Sequence, residues 1–168
     1  HRSIRRQRQM CIRDRLEEMM GYIGDGPITI ADAKRGDIGN TAKQYAASIF
    51  GHFGFDSVTL SPYMGEDSIM PFLNNEEKGV FILCRTSNPS AKTFQSLNFH
   101  DEVKLYEQVA KWADSLNDND NVGLVVGATA PEELIKVRRL APSLPILIPG
   151  IGAQGGDIVS CICLLYTS

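Results

Sequence analysis

An acid, a base and a second acid, Asp32, Lys34 and Asp37, follow the β-branched run Ile28-Thr29-Ile30 and stand just ahead of a helical pattern. Side chains of these types move protons and meet developing charge. The order reads as strand, loop, helix. Residues two apart on a strand share a face, so Asp32 and Lys34 are expected side by side at the strand's carboxyl end, with Ala33 turned to the opposite layer. Asp37 falls beyond the strand, in a loop where Gly36 and Gly39 permit a sharp turn. In parallel α/β folds this rim is where chemistry sits. The same residues also fit a plain surface ion pair followed by a helix cap, since Asp, Asn and Thr all cap well. The small Ala33 and the two glycines, which leave room for a ligand to approach the backbone, favour a site.

The elements that must position these residues can be read in chain order. Leu16, Met19, Met20 and Ile23 follow the i, i+3, i+4, i+7 rule, which predicts a short amphipathic helix ended by Gly24 to Pro27. After the Ile28 strand, Ala42, Tyr45, Ala46, Ile49 and Phe50 draw the apolar stripe of a helix lying back on a sheet. Ser57 to Leu60 is a compact strand with Ser61 to Gly65 as its rim loop, and a helix follows through Ile69 to Leu73. Gly79 to Cys84 is a continuous apolar run, the mark of a strand covered on both faces, with Arg85 to Ala91 at its rim. A polar loop from Lys92 to Asp101 leads to a helix carrying Val103, Tyr106, Val109, Ala110, Ala113 and Leu116 on one side. Val122 to Val126 is another buried strand, Pro131 suits a first helical position, and Pro145 to Pro149 is a fifth strand ending in the loop Gly150 to Asp157. Five strands alternating with helices predict a parallel sheet, either doubly wound or part of an eight-stranded barrel. Gly150 to Gly155 spells Gly-x-Gly-x-x-Gly, but no helix pattern follows it, so a dinucleotide site is discounted; in a barrel the loop is half of a phosphate cradle.

Composition narrows the class further. With 168 residues and 43% hydrophobic content the chain can bury one sizeable core. No apolar run reaches membrane-span length and no secretory signal is evident, so the expectation is a cytoplasmic protein without a membrane partner. The net charge of -3 is unevenly spread, six of the seventeen Lys and Arg lying at Arg2, Arg5, Arg6, Arg8, Arg13 and Arg15. A basic nucleic-acid tail would look like this. The acidic remainder has no basic face, however, and no nucleic-acid partner is expected. Met10 to Arg15 and Cys161 to Ser168 read instead as translated adapter, which leaves 16–157 as the domain and 1–15 and 158–168 as non-native tails. That division sets aside Cys11, Cys161 and Cys163, and Cys84 reads as a small hydrophobe. Neither a metal site nor a disulfide framework is expected.

The opening stretch also resembles the signature of the orotidine 5'-phosphate decarboxylase family, in which Asp-x-Lys-x-x-Asp-Ile, a small residue, any residue and Thr follow a hydrophobic strand; every position matches from Ile30 to Thr41. Ser61-Pro62-Tyr63-Met64-Gly65, Thr86-Ser87-Asn88-Pro89, Val125 to Thr129 and Pro149 to Gly156 resemble the family's other rim segments, in the right order. The likeness runs over about 140 residues, from near Leu16 to Asp157. It implies a (β/α)8 TIM barrel of which strands three to seven are present, and decarboxylation of orotidine 5'-phosphate to uridine monophosphate without metal or organic cofactor. Lys34 would stabilise the carbanion and deliver the proton, with Asp32 holding it in place. By the same resemblance Asp37, Ile38 and Thr41 reach into a neighbouring subunit's site, making the working unit a homodimer. The resemblance further implies that Ser87 contacts the pyrimidine edge and that Pro149 and Gln154 belong to the loop closing over base and phosphate, a solvated loop amide being the lesser alternative for Gln154.

The family's first two strands and its last, with their ribose-binding Asp, second Lys and Gly-Arg phosphate clamp, are not identifiable here. The expectation is an internal fragment that is poorly stable and inactive alone. Two other readings stay open. A magnesium-dependent sugar-phosphate decarboxylase or hexulose-phosphate synthase shares Asp-x-Lys-x-x-Asp, and a noncatalytic phosphate-binding module could keep the rim without the chemistry. Arg35-Gly36 and Ile38-x-x-Thr41 favour the nucleotide enzyme.

Overall fold

The computed structural model describes residues 2–152 and 155–166. Helix α1 (Arg2–Ile23) precedes five strand–helix units: β1 (Ile30–Arg35) with α2 (Gly39–Ala46), β2 (Ser57–Leu60) with α3 (Met70–Leu73), β3 (Gly79–Arg85) with α4 (Leu105–Ser115), β6 (Val122–Val126) with α5 (Pro131–Leu140), and β7 (Ile146–Leu147) with α6 (Ile158–Tyr166). A two-stranded antiparallel hairpin, β4 (Asn98–His100) and β5 (Val103–Lys104), lies between β3 and α4. The main sheet is parallel, in the order β1-β2-β3-β6-β7. Consecutive units therefore sit side by side with no reversal. A doubly wound sheet needs such a reversal at its switch point, so this is a stretch of barrel wall.

The wall has a helix side and an inner side. Val58, Leu60, Val80, Ile82, Val122, Leu124 and Val126 are fully buried beneath the helices, together with Phe72, Leu134 and Val137. On the alternate positions the register aligns Thr59 with Phe81 and Phe81 with Gly123. Gly123 is required there, because a Cβ would stand 2.7 Å from the Phe81 ring. Phe81 and Leu83 are only half-buried, whereas their continuous apolar run predicts cover on both faces. An unclosed wall leaves that inner side partly open.

Local chemistry accounts for the helices. In α5, Pro131 occupies the first turn with Glu132 and Glu133, while Arg138 and Arg139 fill the last, complementing the helix dipole at both ends. The stripe of α2 buries Ala42 and Ala46, and the chain continues as a π-helical segment over Ala47–His52 that buries Ile49 and Phe50.

Several elements differ from expectation. Helix α1 begins well before Leu16. The Lys92–Asp101 stretch, expected as loop, holds the first strand of the hairpin, and Val103 belongs to the second rather than to α4. A helix does follow the glycine loop. Its residues Ile158-Val159-Ser160-Cys161-Ile162 are too uniformly apolar to show helical periodicity, and Cys161 is buried against the core. The unreversed strand order still separates that loop from a dinucleotide fold. Among the described residues, no helix is long and apolar enough to cross a membrane.

Candidate active site

Asp32 and Lys34 meet at the carboxyl end of β1, Lys34 Nζ lying 2.5 Å from Asp32 Oδ1. Strand periodicity is not what joins them. Ala31 pairs with Val58 and Arg35 with Leu60, so Asp32, Ala33 and Lys34 stand opposite the single residue Thr59. The excess residues form a bulge, and Lys34 has φ +47°, a left-handed conformation uncommon for a residue with a side chain. Both charged side chains face solvent at the rim, 66% exposed for Asp32 and 51% for Lys34. The hydrogen bond from the Lys34 ammonium, together with one from the Thr59 hydroxyl, holds the Asp32 carboxyl below its usual range against a partial burial that raises it.

Thr59 joins the two halves of the bulge. Its Oγ1 accepts the Lys34 backbone N–H at 3.0 Å and donates to Asp32 Oδ1 at 3.0 Å. Its type alone does not single it out, yet a hydroxyl inside the otherwise apolar Val58-Thr59-Leu60, on a strand beside the Asp-Lys pair, is a usable signal. It is 1% exposed.

Asp37 lies in the loop after β1, half-buried, its Oδ1 accepting the N–H of Ile38 at 2.8 Å. Among the described residues, the ion pair of Lys34 is with Asp32 alone. Ile38 occupies the N-cap position of α2 without a side-chain cap, and Ile38 and Thr41 are exposed. Gly39 takes φ +56° at the first residue of α2, as the sharp turn requires. Gly36 has a different use: a Cβ there would lie 3.3 Å from that of Ser61, where Ser61 N–H bonds to Arg35 O at 2.7 Å.

Ser87 follows β3 and packs onto the end of β6, where Gly127 leaves room for its backbone; a Cβ on Gly127 would sit 2.7 Å from Ser87 N and Cα. Thr129 Oγ1 donates to Ser87 O at 3.0 Å. With Arg85, Asn88, Pro89, Lys92 and Thr129, Ser87 lines a cleft of about 540 Å³. Arg85 underpins this loop: nearly buried, it donates from Nη1 to Thr86 O at 2.6 Å and places Nε 3.5 Å from Glu133 Oε1. Pro149 is exposed at the end of the β7 segment, its carbonyl accepting Ala128 N–H at 2.9 Å. Gln154 lies outside the described residues. Cys84, under the rim, is buried and donates to Tyr106 O at 3.2 Å; burial pushes its thiol up to about 12, as suits a packing residue.

A parallel, singly wound α/β wall with an aspartate–lysine pair and polar loops at its carboxyl rim is the signature of a TIM-barrel enzyme. Residues 22–159 match the model of the orotidine 5'-phosphate decarboxylase / HUMPS family, and the chain belongs to that family. It is 54% identical over 148 residues to the orotidine 5'-phosphate decarboxylase of Halorubrum lacusprofundi, covering 88% of this chain and 52% of that protein. Among solved structures it resembles the UMP synthase of Leishmania donovani, with TM-score 0.85 and 47% identity over 89% of this chain and 34% of that one. The OMP decarboxylase of the same organism gives TM-score 0.83 and 45% identity over 89% of this chain and 58% of that one. The chain spans about half the length of the curated relatives it matches.

Proposed function

We propose that this chain carries the charge-handling part of a site that decarboxylates orotidine 5'-phosphate to uridine monophosphate. The observation that supports the reading best is the Lys34 ammonium held against Asp32 at the open rim. When the bond from the pyrimidine ring to the carboxylate breaks, carbon dioxide leaves and the electron pair stays on a ring carbon with no conjugated sink. Lys34 Nζ meets that charge and then gives the carbon its proton. One such ion pair at about 4 Å and an effective dielectric near 20 is worth roughly 4 kcal/mol, so Lys34 is one contributor among several. Asp32 holds the ammonium in place.

The other candidates complete the reading. Ser87 presents its polar atoms to the pyrimidine edge, while Pro149 and Gln154 belong to the loop over base and phosphate. Asp37, Ile38 and Thr41 act in the site of a second subunit of a homodimer; the exposure of Ile38 and Thr41 supports this, as does the pairing of Lys34 with Asp32 alone. The setting is cytoplasmic, and residues 1–15 and 158–168 are adapter-derived tails, the second of which folds as α6 and packs Cys161 against the core. The five strands form part of an eight-stranded wall, so the 168-residue chain is expected to bind nucleotide weakly and turn over none. The test is carbon dioxide release by this chain and by a fusion that completes it with the remaining length of the H. lacusprofundi relative. The fusion is expected to be active, even with a chelator present, and to lose activity as Lys34→Ala. Undiminished turnover by that variant would sink the assignment.

A further inference from the structure

We propose that Thr59 is a positioning residue for the reacting lysine, its hydroxyl fixing the Asp32 carboxylate and the Lys34 backbone together across the bulge. The inference rests on the reading of Asp32 and Lys34 as the reacting pair. Three residues of β1 face one residue of β2 at this point, and the ladder loses its register. A backbone N–H stranded by a bulge needs an acceptor, and Thr59 Oγ1 supplies it to Lys34. The same hydroxyl spends its proton on Asp32 Oδ1, the oxygen that also receives the Lys34 ammonium. A closed ring of three hydrogen bonds results, running from Lys34 N–H to Thr59, from Thr59 to Asp32, and from Lys34 Nζ back to Asp32.

The ring explains how a lysine stays at φ +47°, a conformation that is unfavourable for a residue with a side chain unless its surroundings hold it there. It also explains why a polar side chain is kept in a strand whose neighbours Val58 and Leu60 are fully buried. Thr59 touches no reacting atom. It acts through the two residues that do, and the hydroxyl rather than the methyl carries the effect.

Amide hydrogen exchange and a carboxyl NMR titration on the 168-residue chain test this without substrate. In Thr59→Val the Lys34 amide is expected to lose roughly tenfold of its protection relative to sheet amides such as Ile82, the size of one lost hydrogen bond. The Asp32 midpoint should rise towards the ordinary carboxylate value. Thr59→Ser, which keeps the hydroxyl, should hold both readouts near those of the unaltered chain. Unchanged Lys34 protection and Asp32 titration in the valine variant, or an equal disturbance in the serine variant, would overturn the proposal. If the valine variant does not fold, the unaltered chain decides: a slowly exchanging Thr59 hydroxyl proton with a nuclear Overhauser effect to the Lys34 amide is expected, and its absence refutes the ring. Because none of these readouts involves turnover, they stay separate from the Lys34→Ala assay that tests the decarboxylase reading.

Discussion

Strands β1 and β2 are tied together by threonine–aspartate pairs at both ends, and the two ties serve different purposes. At the base, Asp56 Oδ2 accepts both the N–H and the hydroxyl of Thr29 at 2.8 Å, and Lys78 Nζ stands 3.6 Å from its other oxygen. Register there is regular, Ile30 facing Ser57. At the rim the acid comes from β1, the threonine from β2, and the cation from two residues along the same strand, bulged and left-handed. The base tie takes its cation from a distant part of the chain and so holds the sheet together. The rim tie takes its cation locally and leaves it half in solvent, where a substrate can reach it. Similar groups form a fixed tie at one end and an open charged pair, the one proposed to react, at the other, and the backbone decides which.

The sharpest way to break this contrast is to remove each tie in turn. Lys34→Ala is expected to reduce turnover of a completed barrel by roughly a thousandfold, the equivalent of about 4 kcal/mol of lost charge stabilisation. It should move the urea midpoint little, because exposed ion pairs contribute about 1 kcal/mol or less. Asp56→Ala should do the reverse. It leaves the Thr29 N–H and hydroxyl without their acceptor, at a cost of about 1–3 kcal/mol in unfolding free energy, while the rate per folded molecule is retained. A large rate loss in Asp56→Ala would show that the base tie also serves the chemistry.

A third substitution sharpens the division at the far side of the rim. Gly127→Ala forces a Cβ against the Ser87 backbone and should cost about 1–3 kcal/mol through overpacking. Because what moves is a loop proposed to hold the pyrimidine, nucleotide affinity should fall as well. Calorimetric titration of the completed barrel with uridine monophosphate, beside a urea melt, separates the two effects.

The wall itself was legible from periodicity. Val122 to Val126 is observed as expected and so is Ser57 to Leu60, because buried parallel strands leave a short, largely apolar run bounded by turn residues. The hairpin was not legible. Its residues Asn98 to His100 are exposed and pair only with Val103 and Lys104 of β5, so no core selects their types. At the site, the Asp32–Lys34 pairing was reached from an alternation rule that the bulge at residues 32–34 in fact breaks. The residues come together because Thr59 and the left-handed lysine turn them, and a register break of that kind depends on a partner strand about 25 residues away. Arg85 reads as a rim-loop residue but ends β3 nearly buried, and its ion-pair partner Glu133 stands on a helix far along the chain.

The smallest expected effect is also the one that compares the two ties directly. Both carboxyls are held below the usual range, Asp56 chiefly by the Thr29 backbone N–H and then its hydroxyl, Asp32 chiefly by the Lys34 ammonium and then Thr59. A carboxyl with a lowered folded-state value adds stability that is present above its unfolded value, near 4, and is lost as pH falls through the folded one. Solvent screens both, since the side chains are 47% and 66% exposed, so each contributes less than about 1 kcal/mol. Asp56 should contribute the larger share, being the less exposed and tied to a main-chain donor. Urea midpoints at pH 7 and pH 3 for Asp56→Asn and Asp32→Asn measure the two shares. Asp56→Asn is expected to flatten the acid loss visibly and Asp32→Asn only slightly. The opposite order would mean that the rim tie, for all its exposure, is the one that holds β1 to β2.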